Sequence, residues 1–560
     1  MRSESHYADP DKIDVLGRRG GVVALAALLA GALISGFAIR FPALYGIDDA
    51  QITQVYGRNI AEGLGYVFYA GGERVEGSTS LLWTLVNALA YLTPAPRIVL
   101  FSSCLALTFL TLLGMLRIVV AFARPAQQLP AAIGASLALT SLDLNFHVWS
   151  IWSFMDHGLY ICVVTAVVVA AMRLDRPLPA DRDKAVLLAL LALLAITRPE
   201  GIAVSAALTL SLALLSWLSG RRSLAFVLLA GAAVAAGSFA AATAFRMTYF
   251  GYPFPNTFYA KVSLDLVSTL TRGAAYTARA FLGTPLLPLG VMLGGWLAFG
   301  CIRKALAGRT LAGFHKEVAL LSTCAAVLLT TVLEGGDHFA GARLLQPIAP
   351  AAAALVGVAA ARLLSRSALT QTRTGAAAAL IGGLVLCAGA ALYYPHSRQT
   401  LRAEFDVGEE ARQVGRRMNE INARFGPASI GVIVAGGTPM EFRGKVYDIE
   451  GLNWPEMAHA DKVKSGPAGH DSFNAQVLYR NVPDVLHLLQ QDPAAPRVAS
   501  FTTAASKDVA SDSRFRALYV PVVFTLSDGP FVTFASRAWL VHARPGPVAM
   551  IDWDRVKIER

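Results

Sequence analysis

Apolar runs of bilayer-crossing length recur along the first 394 residues of this chain, and nothing else in the sequence restricts its fold so strongly. A helix needs about 20 mostly apolar residues to cross a hydrocarbon core of about 30 Å. Runs that reach or approach this length lie at about 21–41, 79–93, 98–122, 158–172, 185–197, 202–219, 224–248, 284–302, 317–334, 344–364 and 375–394. Eleven transmembrane helices are therefore predicted. The stretch "LPAAIGASLALT" (130–141) is too short to cross, and a crossing there would invert every later loop. It is read as a re-entrant or interfacial piece. The first run lacks a small-residue cleavage site and reads as a retained signal anchor.

Lys and Arg collect at Arg18/Arg19, Arg173 to Lys184, Arg221/Arg222, Arg303/Lys304/Arg309 and Arg362/Arg366/Arg373. The positive-inside rule makes these loops cytoplasmic, with the N-terminus inside and the C-terminal segment outside. A formal net charge of +11 is of the kind seen in nucleic-acid-binding proteins, but residues 395–560 hold 20 Lys+Arg against 19 Asp+Glu. The excess thus belongs to the membrane loops, and no basic tail or aromatic-basic stripe points to a nucleic-acid partner. A 560-residue chain that is 55% hydrophobic and 16% charged has membrane lipid as its main solvent. The five cysteines all lie in apolar runs without metal-ligand spacing and read as small core residues.

After residue 394 the pattern changes to that of a soluble module. "EEARQVGRRMNEINARF" has helical spacing, "SIGVIVAGG" and "KVYDIEG" read as buried strands, and "VPVVFTLSDGPFVTFAS" reads as a hairpin around Ser527-Asp528-Gly529. The predicted fold class is a polytopic α-helical membrane protein with a C-terminal α/β soluble domain on the outer face. The predicted domains are a transmembrane domain, 1–394, and an extracytoplasmic domain, 395–560.

Five polar clusters stand on the predicted outer side. In "YGIDDAQITQVYGRNIAEG" Asp48 suits the N-cap of a short amphipathic helix, with Ile52, Val55, Tyr56 and Ile60 on one face and Gln51, Gln54, Arg58 and Asn59 on the other. A cap needs one carboxylate, and Asp49 is a second. "GGERVEGSTSLLW" adds Arg74 and Glu76, "WSIWSFMDHGLY" adds Asp156 and His157, and "ITRPEGIA" adds Arg198 and Glu200. The fifth cluster pairs "FRMTYFGYPFPNTFYAK", with Arg246, Asn256, Tyr259 and Lys261, and "LEGGDHFAGARLLQP", with Asp337, His338 and Arg343. Taken singly, such residues are also explained by caps, core histidines and cations snorkelling at helix ends. Together they suit transfer of a sugar from a lipid phosphate. Cations neutralise the leaving phosphate, a carboxylate takes the acceptor's proton, and aromatic rings hold the sugar. Like charge would also raise one of two adjacent carboxylates towards the range of a useful base.

"DDAQITQVYGRNIAEGLGYVFYAGGERVEGSTSLLW" resembles the first external loop of the GT-C membrane glycosyltransferases, most nearly the group with the terminal arabinofuranosyltransferases. "TRPEG", "YFGYPFPNTFYAK", "GGDHFAGARLLQP", "VYDIEGLNW" and "GHDSFNAQVLYRNVPDV" are similar to further motifs of that group in the same order. The resemblance touches most of residues 45–490 and none of the last 70. It departs at "FMDH", where relatives read something like Gly-Met-Glu-Thr. It implies a polyprenyl-phosphate sugar donor, a glycan or glycoprotein acceptor, and chemistry on the outer face of the bacterial inner membrane. Carried onto this sequence, it makes Asp48 the base with Asp49 as neighbour and runner-up. Arg246, Lys261 and Arg343 become donor-phosphate contacts, while Asn256 and Tyr259 become sugar or acceptor contacts. Asp156, Asp337, His338 and Glu76 are further candidates for that last group. Carboxylates at Asp48, Asp49, Asp156 and Asp337 admit a divalent cation, though no ligand spacing specifies one. The alternative is a transporter or flippase of a lipid-linked saccharide, which should carry polar residues at mid-membrane and on both faces.

Overall fold

The computed structural model describes residues 17–176, 178–261, 265–308, 310–365, 395–460, 472–489, 492–493, 496–498, 509 and 511–557. Long apolar runs yield long helices, and among the described residues seven are long and apolar enough to cross a membrane: Gly17–Ala38, Pro96–Phe122, Gly201–Leu218, Arg222–Tyr249, Leu286–Leu306, Leu311–Leu333 and Arg343–Leu364. The protein is a polytopic α-helical membrane protein. Helix Gln128–Leu142, the stretch expected to be re-entrant, bends by 86° into the segment Leu144–Trp152. The pair forms a broken span or a re-entrant loop and brings the count to eight at most. Three predicted runs form shorter helices. The run at 79–93 forms the 11-residue helix Leu81–Tyr91, about 17 Å long at 1.5 Å per residue. The runs at 158–172 and 185–197 form the 17-residue helices His157–Arg173 and Asp181–Thr197. The run at 375–394 lies outside the described residues, as do Arg309, Arg366, Arg373 and Cys387.

The chain packs as two compact units, each drawn from three stretches. The first comprises Met1–Pro42, Phe101–Ala240 and Gly273–Leu401. Its helices Gln128–Leu142 and Ala349–Leu364 pack so closely that a Cβ on Gly357 would stand 2.3 Å from the Ala131 carbonyl oxygen. Small residues at the crossing let the backbones approach, as membrane helix pairs commonly require.

The second unit comprises Ala43–Leu100, Ala241–Arg272 and Arg402–Arg560. Its sheet has the order β2-β1-β3-β5-β4-β6, where β1 is Ile430–Val432, β2 Val446–Asp448, β3 Val485–His487, β4 Tyr519–Leu526, β5 Gly529–Ser536 and β6 Val548–Met550. The first three strands run parallel, and β5 joins β3 antiparallel. The hairpin expected around Ser527-Asp528-Gly529 is β4 and β5, closed by the pair Leu526 and Gly529. One sheet face carries Val432, Val522 and Phe524 against Met418, Ile421 and Phe425 of the long helix Pro395–Phe425. Ile52, Val55 and Tyr56 of helix Asp48–Ala61 join that same core. The other face packs Leu486, Val532 and Phe534 on Met457, Leu478 and Phe515. First-loop helix and C-terminal sheet therefore share one apolar interior.

Candidate active site

The helix Asp48–Ala61 starts at Asp48, with Ile47 in extended backbone at the N-cap position and no side-chain cap. Asp48 therefore does not cap its own helix. Its carboxylate instead accepts the Gly436 N–H at 2.9 Å and the Gly437 N–H at 2.7 Å, where β1 leads into the short helix Gly437–Glu441. Successive N–H groups of this kind form an anion-binding concavity. A Cβ on Gly436 would lie 1.9 Å from the Asp48 carbonyl oxygen, so only glycine permits the approach. Farther along the helix, Arg58 donates to the Met440 and Pro439 carbonyls at 2.9 Å each, tying down the far end of that same short helix.

Burial pushes the half-buried Asp48 carboxyl up to about 7. Its two backbone bonds oppose the rise, and the neighbouring charges of Asp49 and Asp448 add to it. Like-charge repulsion from Asp49, the cause expected from the sequence, thus ranks behind burial. Asp448 is the acid that sequence reasoning missed. It closes β2, is fully buried, and accepts the N–H groups of Glu450 and Asn453 together with Asn453 Nδ2 at 2.8 to 3.0 Å. Burial raises it to about 6, and Asp49 contributes. The signal available beforehand was an acid inside the buried strand "KVYDIEG".

Lys261 ends the helix Asn256–Lys261 and holds its Nζ 3.7 Å from Asp49 Oδ2, both side chains being partly exposed. A solvent-facing pair of this length is worth about 0–1 kcal/mol, little enough for an anionic ligand to displace. Asn256 is buried and donates to the Gly451 and Leu452 carbonyls, fixing the loop after β2. The Tyr259 ring lies 4.2 Å from His459, which stacks in turn on Tyr252 at 4.1 Å. Arg246 and Glu76 form a buried fork, Nε to Oε2 at 2.8 Å and Nη2 to Oε1 at 3.1 Å. Burial raises the Glu76 carboxyl, and Arg246 opposes the rise.

The first unit holds the remaining candidates. Asp156 is buried against Arg198 Nη1, with its oxygens at 3.0 and 3.1 Å, and against His157 Nδ1 at 3.3 Å. Burial works to raise the Asp156 carboxyl, but the charges of Arg198, His157 and Arg343 hold it well below the usual carboxylate range. Arg198 Nε also donates to Glu200 at 2.6 Å. Asp337 pairs with Arg343 and with His338, and the Arg343 guanidinium lies 4.1 Å over the Phe339 ring. Among the described residues no group of three or more His, Cys, Asp or Glu is arranged to hold a metal ion.

No protein-family model matches the sequence, and no curated protein sequence matches it. Solved structures do. The crystal structure of ArnT from Cupriavidus metallidurans in the apo state is similar over 92% of this chain and 98% of that one, at 13% identity and a TM-score of 0.51. The archaeal oligosaccharyltransferase AglB from Archaeoglobus fulgidus, in complex with an inhibitory peptide and a dolichol-phosphate, is similar over 94% of this chain and 75% of its own. That likeness has 12% identity and a TM-score of 0.51, and the apo oligosaccharyltransferase of the same organism gives 13% and 0.50. The fold is GT-C-like. Within this GT-C-like fold the sequence candidates fall into two sets. Asp48, Asp49, Glu76, Arg246, Asn256, Tyr259 and Lys261 lie in the second unit, and Asp156, Asp337, His338 and Arg343 in the first.

Proposed function

We propose that the chain is a glycosyltransferase that moves a sugar, arabinofuranose or a similar one, from a polyprenyl-phosphate donor to a glycan or glycoprotein acceptor. The observation that carries this reading is the Asp48 carboxyl, pushed up to about 7 beside Asp49 and Asp448, with the Lys261 ammonium on Asp49. A base is most useful when its pKa lies near the working pH. In the proposed reaction ionised Asp48 takes the proton of an acceptor hydroxyl and that oxygen attacks the anomeric carbon. The bond from that carbon to the phosphate oxygen breaks, and polyprenyl phosphate leaves with its negative charge facing Lys261. Arg246 and Arg343 are the further phosphate candidates, each already tied to a carboxylate, Glu76 and Asp337 respectively. Asn256 and Tyr259 are the sugar or acceptor contacts, with Asp156, Asp337, His338 and Glu76 as further candidates. AglB in complex with a dolichol-phosphate supports a lipid-phosphate ligand in this fold. The proposed location is the bacterial inner membrane, with residues 1–394 as membrane domain, 395–560 as outer domain, and the site facing the periplasm.

The test is release of polyprenyl phosphate from synthetic polyprenyl-phospho-arabinofuranose by the full chain in nanodiscs. Asp48→Asn should lower turnover by about 10²–10⁴-fold, the usual contribution of a general base. Lys261→Ala should raise the apparent donor KM while leaving the thermal midpoint in place. Lipid translocation that persists in Asp48→Asn without donor cleavage would identify a flippase instead.

A further inference from the structure

We infer that a shallow pocket in the second unit, apart from the acid cluster, holds one neutral saccharide ring of the acceptor. This inference rests on the glycosyltransferase reading. The pocket measures about 170 Å³, well above the ~10–15 Å³ that admits a single water. One wall is the first-loop hairpin, bridged at Val67 and Arg74, which brings Tyr69 and Glu73 to the rim. The opposite wall is β2 with the turn after it, which supplies Tyr447, Asn453 and Trp454 as a buried floor.

The side chains point to the ligand class. A pyranose or furanose ring has an apolar C–H face and an equator of hydroxyls, so its site combines an aromatic surface with planar amide or carboxylate groups. Here the Tyr447 and Trp454 rings meet at 4.8 Å and 57°, and Tyr69 stands half-exposed at the rim. The carboxylate of Glu73 makes no hydrogen bond among the described residues, while Glu456 holds Asn481 Nδ2 at 2.9 Å on the far rim. Among the lining residues two carboxylates outnumber the one cation, Lys445, whose Nζ lies 4.4 Å over the Tyr447 ring. A rim of this balance disfavours a phosphate and separates the pocket from the donor's charge. Its floor touches the acid cluster through one residue. Asn453 lines the pocket, donates from Nδ2 to Asp448, and accepts the Tyr56 hydroxyl at 2.8 Å on Oδ1. A sugar seated there abuts the residue that orients Asp448.

The experiment measures binding of neutral arabinofuranosyl, galactofuranosyl and mannosyl oligosaccharides, with unglycosylated peptides as controls, to the intact chain in nanodiscs. Tyr69→Ala and Glu73→Gln alter side chains that reach solvent, so the thermal midpoint should hold. Each should weaken binding of the preferred oligosaccharide by about tenfold, equivalent to about 1.4 kcal/mol. Unchanged affinity in both rim variants overturns the assignment, as does binding of peptides alone or of no saccharide at all. Donor cleavage that depends on Asp48, with saccharide binding indifferent to the rim, would remove the pocket and leave the transferase. Rim-sensitive binding without any donor cleavage would remove the transferase and leave a saccharide site.

Discussion

A carboxylate that accepts two backbone N–H bonds is ordinarily a stronger acid than a free one. Asp48 is a weaker one, because burial outweighs both bonds and the charges of Asp49 and Asp448 push the same way as burial. Only the ionised form can accept a proton. Donor turnover to an acceptor should therefore climb as pH passes through about 7, and Asp49→Asn should move the rise to lower pH by removing a like charge. A pH–rate profile flat between 5 and 8 would exclude Asp48 as base. Stability runs the other way. The folded value is raised above the ordinary 3.8, so the folded chain binds the proton more tightly than the unfolded chain does. The stability this contributes is complete below about 3.8 and is lost as pH rises through about 7. Asp48→Asn should accordingly flatten the decline in thermal midpoint across that window. At this scale the sequence disclosed identities but few partners. The paired acids were conspicuous at a membrane boundary, whereas nothing local reveals that Arg246 meets Glu76, 170 positions away. Removing one member of such a buried pair typically costs about 3–5 kcal/mol, so loss of activity in Arg246 variants also reflects the uncompensated Glu76.

Periodicity identified the helix Asp48–Ala61 correctly and left its surroundings open. The four residues of its polar face, Gln51, Gln54, Arg58 and Asn59, are all buried. Each finds a backbone carbonyl: Gly46 for Gln51, Tyr45 for Gln54, Pro439 and Met440 for Arg58, Val67 and Phe68 for Asn59. A buried helix whose polar side chains donate to backbone carbonyls has the same spacing in sequence as one lying on a surface, and the partners of Arg58 come from a segment about 380 positions later. The strands were more legible, because β1, β2 and the β4–β5 hairpin are short β-branched runs between turn residues. Their order was not, since the crossovers leave no local trace. Gly436 sits where strand, short helix and Asp48 converge, and its missing side chain makes the cradle. Gly436→Ala should push Asp48 out of the two N–H bonds, with a fall in thermal midpoint and at least about a tenfold loss of turnover, roughly 1.4 kcal/mol in transition-state terms. The control is Gly529→Ala, in the hairpin turn, where an added Cβ meets open space. It faces only its own positive φ of 121° and should leave turnover unaffected. Equal activity in Gly436→Ala and wild type would show that the cradle does not position the acid.

Over the whole molecule, hydropathy separates a membrane part from a C-terminal part at residue 394, while packing draws its line elsewhere. The compact unit around the sheet includes Ala43–Leu100 and Ala241–Arg272, segments that belong to the membrane part by sequence. Hydropathy reports the solvent a segment prefers and is silent about which distant segment supplies its neighbours. The helix Asp48–Ala61 depends on neighbours from beyond residue 394 at every level. Gly436 and Gly437 hold Asp48, Pro439 and Met440 hold Arg58, Asn453 holds Tyr56, and its apolar face belongs to a core that also takes in Met418 and Phe425. A chain ended at residue 394 would leave Val55 and Tyr56, both fully buried in the intact protein, without that part of the core. A 14-residue helix is marginal in water without tertiary packing. Amide hydrogen exchange over residues 50–60 should therefore be slow in the full chain and fast in the shortened one, while the spans Gly201–Leu218 and Arg343–Leu364 keep their protection in both. Donor cleavage should disappear with the protection, because the acid that performs it would no longer be held. Were residues 50–60 to stay protected after truncation, the first-loop helix would be stabilised within the membrane part alone, and the C-terminal segment would not be what holds Asp48 in place.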